Sequence, residues 1–279
     1  MNHLWLEGEA YSYAGDFLCG LQRFVPQSRK HLTVAWGYFR NWQKTLVRKQ
    51  AFPLPALWLQ ALMGIAFVRK RFDLATAMLL GFAGLLRTQE LILLDRSQLT
   101  FLPNGKMTIA LWESKGAKRS GRPEIVIIGE KPIVAAVRRY CAGLRPHERI
   151  YGSSAQTLHR ELRWLAGFLQ VPRKLLSVYS LRRGGATQHF LQYQNLAATT
   201  QLGRWQDPKT ARLYIEPGAA QIAQWQLTGH SQALANRCAA FAQQVLAATQ
   251  RHAEGSLANV FAKALQRNVR CMLLSILVQ

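Results

Sequence analysis

Acidic residues are scarce in this chain. Its 279 residues carry 14 Asp and Glu against 36 Lys and Arg, a formal charge of +22. A compact chain so charged repels itself, and a polyanionic partner is the usual compensation. Nucleic acid is the first candidate, because Lys and Arg on phosphates release condensed counterions. A ribosome-like or membrane-surface protein is the alternative on charge alone. Cysteine is scarce too. Cys19, Cys141, Cys238 and Cys271 lie far apart with no Cys-x-x-Cys pair. That argues against a zinc site or a disulfide framework and for isolated thiols in a reducing compartment. Long apolar runs are also missing. Ala56–Val68 and Leu74–Leu86 have 13 residues each and are separated by Arg69-Lys70-Arg71, whereas a membrane helix needs about 20. They read as buried helices. The opening MNHLWLEGEAYSY carries acids and no apolar centre, so it does not read as a secretory signal.

What the chain does have is a large apolar fraction, 49%, enough for one large domain or two modest ones. Residues 1–50 read as helical, with aromatics among basic residues: Phe39, Arg40, Trp42, Lys44, Arg48 and Lys49. Phe52-Pro53-Leu54-Pro55 breaks that pattern and opens a new helix. Dense helical spacing runs from Ala56 to Leu94, with Asp73 placed to cap a second helix. Gln98–Phe101, Met107–Trp112 and Ile125–Ile128 are short β-type runs, the first two joined through Pro103-Asn104-Gly105. Helices then return over Pro132–Ala142, Thr157–Gln170, Ser180–Gln194 and Pro208–Tyr214, and a long helical tail runs from Ala219. The expected fold class is mainly α with a small antiparallel β-sheet. The expected division is a short N-terminal helical DNA-binding segment, 1–50; a catalytic domain, 51–220; and a C-terminal helical tail, 221–279.

Five features carry candidate chemistry, and each has a plainer structural reading. Arg87, after a wholly apolar helix, needs an anionic partner near the core, and Glu90 lies three residues on. Lys115 sits in the loop Glu113–Glu124 between two strands, where it could enter a groove and donate a proton or simply be solvated. In Tyr179-Ser180-Leu181-Arg182-Arg183-Gly184-Gly185, Ser180 is a candidate N-cap and Arg182 a candidate phosphate clamp beside a helix N-terminus. Trp205 offers an indole N–H or a packing anchor. Tyr214, nine residues after Trp205, is one tyrosine among eight.

Taken in order, these features resemble the catalytic set of the tyrosine recombinase, or phage integrase, family. Gly81–Asp95 resembles its first arginine motif and Lys115 its hairpin lysine. Tyr179–Arg182 falls on its His-x-x-Arg box, Trp205 on its His/Trp position and Tyr214 on its nucleophile. The resemblance covers about residues 50–220. It departs at Tyr179, where the family has histidine, and at Arg183, often histidine in members. The wording YSLRRGGAT and GRW looks more like recombinases of eukaryotic mobile elements than like bacterial chromosome-resolving enzymes.

The resemblance implies the family's mixed helical catalytic fold and site-specific recombination of double-stranded DNA through a 3′-phosphotyrosine, without metal, ATP or other cofactor. Arg87 and Arg182 would hold the phosphate oxygens, and Lys115 would protonate the leaving 5′-oxygen. Trp205 would buttress the phosphate and Glu90 would orient Arg87. Tyr179 would contact the phosphate or take over part of histidine's role. Arg40, Lys44, Arg48, Lys118, Arg119, Arg122, Arg183 and Arg204 are the expected DNA-binding residues. The family also implies an intracellular protein, nuclear or nucleoid-associated according to host, with no membrane partner. It implies a homotetramer on two DNA sites, joined through the C-terminal tail and its apolar strip Val269–Val278. The N-terminal segment is short for the family's DNA clamp. The departure at Tyr179 leaves a second reading: a catalytically impaired or domesticated DNA-binding relative.

Overall fold

The computed structural model describes residues 4, 6–7, 10–45, 51–172, 176–218, 222, 227–251, 259–260 and 262, and of Lys115 only the backbone. Arg48, Lys49, Cys271 and the strip Val269–Val278 lie outside the described residues. The chain forms two compact units, Met1–Gln50 and Ala51–Gln279.

In the first unit, α1 (Tyr11–Phe24) and α2 (Thr33–Thr45) flank a 3-10 turn, Pro26–His31. Ala14, Leu18, Phe39 and Trp42 form their small shared core. The basic residues expected among these aromatics are at the surface. Arg40 donates from Nε to the Trp36 carbonyl, 3.2 Å, and both Arg40 and Lys44 are exposed.

The second unit is built on two almost wholly apolar helices, α3 (Ala56–Val68) and α4 (Phe72–Ala83), so nearly every residue of both is buried. Helices apolar all round belong inside a core. Pro55 is the N-cap of α3. Asp73 does not cap α4. It is already helical, and its carboxylate is bound by Arg71 at 2.9 and 3.0 Å. The short helix α5 (Thr88–Leu93) follows, then a 3-10 turn, Arg96–Gln98, held by Asp95 as N-cap.

The sheet is β1 (Leu99–Phe101), β2 (Met107–Leu111) and β3 (Glu124–Ile128), antiparallel in that order. Leu99 faces Ile109, and Met107 faces Ile128. Met107, Ile109, Leu111, Val126 and Ile128 point into the core, while Ile125 and Ile127 are exposed. Strand alternation, period two, produces this division.

Between β2 and β3 the expected flexible loop is instead a helix, α6 (Lys115–Ser120). Ser114 caps it by accepting from the Ala117 N–H, and it ends at Gly121 in the left-handed conformation. A Ser N-cap and a Gly terminator make a six-residue helix viable where its composition reads as a solvated loop. Then come α7 (Lys131–Cys141), α8 (Ala155–Phe168), α9 (Val178–Tyr193), α10 (Leu196–Gly203) and α11 (Pro208–Arg212). The last of these is shorter than expected and leaves Tyr214 in a turn.

The described helix of the C-terminal region belongs to the main core. Helix α12 (Gly229–Arg251) packs along α3 so closely that a Cβ on Gly64 would lie 2.1 Å from the Cys238 carbonyl oxygen. Leu234, Ala235, Cys238, Ala239, Phe241, Ala242 and Val245 belong to the main core. The fold is therefore mainly helical with one small antiparallel sheet, as composition and periodicity predict.

Candidate active site

Helix α9 carries the centre of the site. Its N-cap is Ser177, not Ser180. Ser180 is the third helical residue, and its Oγ accepts from the Ser177 N–H at 3.1 Å to close a capping box. Arg182 is thus a full turn inside the helix and 1% exposed. Gly184 and Gly185 let the helix sit that deep. A Cβ on the first would lie 2.1 Å from the Leu54 carbonyl oxygen, and on the second 2.0 Å from that of Phe82.

The Arg182 guanidinium donates to two carbonyls. One is that of Leu85, a residue held at φ 46; the other is that of Gly203, 2.6 Å away. Its Nε is buried without a hydrogen-bond partner among the described residues. Burial pushes this guanidinium down to about 10, with Arg204 and Arg87 adding repulsion. It still carries its charge at neutral pH.

Two aromatic rings cover Arg182. Trp205 lies 4.8 Å from the guanidinium carbon and Tyr214 lies 5.6 Å from it. The two rings are 4.5 Å apart at 46°. Trp205 can fold back this way because residue 203 is glycine: a Cβ there would fall 1.9 Å from the indole ring. The Tyr179 hydroxyl donates to the Tyr214 hydroxyl oxygen, their rings 5.6 Å apart.

The turn holding Tyr214 is fastened to α9 by three hydrogen bonds and an ion pair. Arg183 Nη2 donates to the Leu213 carbonyl at 2.8 Å and pairs with Glu216 at 2.6 Å. Thr187 Oγ1 donates to the Tyr214 carbonyl at 3.2 Å and accepts from the Glu216 N–H at 3.1 Å.

Arg87 arrives from α5. It does not end the apolar helix, which stops at Ala83, but is the N-cap of the next one. Its backbone N–H donates to Glu90 at 2.7 Å and its Nη1 at 2.5 Å. It interacts electrostatically with Tyr214 and lies 3.6 Å from Glu124. Glu90, 4% exposed, also binds Arg204 Nη2 at 2.7 Å. Burial opposes ionisation of Glu90, but Arg204 and Arg87 outweigh it and hold the carboxyl below its usual range. Arg87 is held above its ordinary range: burial works against the charge, and Glu90 and Glu124 overcome it.

The structure therefore brings Arg87, Tyr179, Arg182, Trp205 and Tyr214 together, with Glu90 behind them. Two expected DNA-binding residues have internal partners. The Arg204 side chain bridges Glu90 and the carbonyls of Gly84 and Leu85, and Arg183 is buried in the Tyr214 turn. Lys118, Arg119 and Arg122 are exposed. Lys115 opens α6, and its neighbour Gly116 packs so tightly that a Cβ would lie 2.0 Å from Glu124 Oε1. That places the Lys115 backbone beside the carboxylate that faces Arg87.

Glu124, Thr187, Gly203 and the Leu85 carbonyl were missed by sequence reasoning. None has a local signal, because each acts through a partner far away in the chain. Among the described residues no group of three or more His, Cys, Asp or Glu could hold a metal ion, and no helix is long and apolar enough to cross a membrane.

Solved structures resemble this arrangement of elements. One is the XerH site-specific recombinase bound to its difH substrate in a pre-cleavage complex, at 18% identity and a TM-score of 0.44. Another is XerH bound to palindromic difH in a post-cleavage complex, at 20% identity and 0.45. The likeness is one of fold. It covers 61% of this chain and 52% and 51% of theirs, so the chain spans about half the length of each. No protein-family model matches the chain, and no curated protein matches it. The residues of the site carry the functional reading.

Proposed function

We propose that the chain is a site-specific DNA recombinase of the tyrosine type, with Tyr214 as its nucleophile. The observation that supports this best is the placement of the Tyr214 ring over the buried Arg182, whose Nε–H has no partner among the described residues. A buried, charged donor beneath a half-exposed phenol is suited to hold a phosphate oxygen beside it. The net charge of +22 supplies the attraction for DNA.

In the proposed step the Tyr214 Oη bonds to phosphorus and the P–O5′ bond breaks. The phenol proton passes to solvent, and the departing O5′ takes a proton, a role suited to Lys115. A 5′-hydroxyl from a partner strand then reverses the step, so the phosphotyrosine conserves the bond energy without ATP. Arg87 and Arg182 offset the charge that builds on the non-bridging oxygens, Trp205 fixes the Arg182 guanidinium from above, and Glu90 orients Arg87.

The test is a set of nicked duplexes made from the DNA that flanks the gene. Wild type should form a covalent adduct that survives denaturant, and Tyr214→Phe should form none. Absence of an adduct from every duplex would sink the reading. A second reading, a DNA-binding relative that no longer cuts, is favoured by Tyr179 in the histidine position. It predicts salt-sensitive binding with no adduct even in Tyr179→His.

A further inference from the structure

We infer that Tyr179 is a positioning residue for the nucleophile, its hydroxyl donating to the Tyr214 oxygen and holding it above Arg182 before DNA arrives. This rests on the recombinase reading and assigns Tyr179 a different partner from the phosphate.

Four observations carry it. The hydroxyl of Tyr179 is the donor and the Tyr214 oxygen the acceptor. The Tyr214 ring packs against two others, 5.6 Å from Tyr179 and 4.5 Å from Trp205, so the bond acts on a ring that already has aromatic neighbours. The two partners differ in rigidity. Tyr179 is the second residue of α9, locked by the Ser177–Ser180 capping box, whereas Tyr214 sits in a turn held through its backbone by Arg183 and Thr187. Backbone bonds fix where the turn is but leave the phenol torsion free, and the hydrogen bond from Tyr179 removes that freedom. Finally, Tyr179 is raised above the ordinary tyrosine range by burial and by its bond to Tyr214, against the pull of Arg182 and Arg183. It keeps its proton throughout the neutral range and remains a donor. A histidine in its place would change between donor and acceptor near pH 6.5.

The consequence is a site aligned by a pH-independent donor. Preorganisation of this kind acts on the rate of attack and not on DNA affinity.

The experiment has two arms. In the first, 3-fluorotyrosine is placed at position 214 of the full-length, DNA-free protein and its 19F resonance recorded. Tyr179→Phe should shift that resonance, and Tyr193→Phe, at the other end of the same helix, should not. An unmoved resonance in Tyr179→Phe overturns the inference whether or not the protein cuts DNA. In the second arm, adduct formation on a nicked duplex is timed against pH. Tyr179→Phe should slow it at least about tenfold with DNA affinity within about twofold. Tyr179→His should recover part of the rate and introduce a new limb near about pH 6.5. A rate unchanged in Tyr179→Phe overturns the inference, as does a loss of DNA affinity matching the loss of rate, which would make Tyr179 a phosphate contact. A wild type that shifts as expected in the first arm but forms no adduct would count against the recombinase reading and leave the positioning contact standing.

Discussion

At the scale of single residues, arginines separate by what their guanidinium groups already bind. Arg87, Arg182, Arg183 and Arg204 all resemble DNA contacts in a list of basic residues. Three of them are inside, and their partners assign different work. Arg182 keeps an unspent Nε–H beneath Tyr214. Arg182→Lys removes the planar fork that reaches both Leu85 and Gly203. It should lower adduct formation by about 10²–10³, the usual loss for one preorganised donor, with circular dichroism unchanged.

Arg183 holds the turn of Tyr214, the proposed nucleophile, through its backbone. Arg183→Met should slow adduct formation while leaving the salt dependence of DNA binding as in wild type, since the side chain meets Leu213 and Glu216. A reduced salt slope would return it to the phosphate backbone.

Glu90 gives a pH prediction. Its folded-state value is depressed, so it stabilises the fold above its ordinary range and that contribution disappears as pH falls through the folded value. Glu90→Gln leaves Arg87 and Arg204 short of a buried partner, which typically costs about 3–5 kcal/mol. The variant should therefore unfold at lower urea than wild type at pH 7, and the gap should narrow below about pH 4.3.

At the scale of elements, close backbone approach decides where α9 lies. Gly184 and Gly185 seat it against Leu54 and Phe82, and Gly64 seats α12 on α3. Adding one methyl at either place overpacks a filled interior and should cost about 1–3 kcal/mol. Gly185→Ala and Gly64→Ala should both lower the melting temperature. Only Gly185→Ala should also lower adduct formation at a temperature where both are folded, because α9 carries Tyr179 and Arg182.

Helix boundaries show how much local chemistry reveals. Ala56–Val68 reads from its apolar run and Pro55 and is found with those bounds. The three strands read from β-branched runs around Asn104-Gly105 and are found within a residue or two. Helix α6 does not read that way, because Ser114 and Gly121 are weak signals beside the loop-like composition of the six residues between them.

At the scale of the whole molecule, the excess of positive charge over 14 acids predicts binding dominated by phosphates. The logarithm of DNA affinity should fall steeply and linearly with the logarithm of salt. Lys118, exposed and paired with the surface residue Glu113 at 2.8 Å, should reduce that slope by about one when changed to Gln. Charge-preserving Lys118→Arg should not.

By itself the sequence determined the class of fold, the basic character, and the order of Arg87, Lys115, Arg182, Trp205 and Tyr214. All of these depend on local periodicity, composition or spacing, which every segment carries with it. The tertiary structure decided which groups are spent. It buried Arg183 and the Arg204 side chain, set Arg204 on Glu90, joined the Glu124 carboxylate to the cluster, and set the Tyr179 hydroxyl against Tyr214. Each of those outcomes is a contact between residues up to 120 positions apart, as in Arg204 on the Gly84 carbonyl. Such contacts depend on how helices pack, which no single segment specifies.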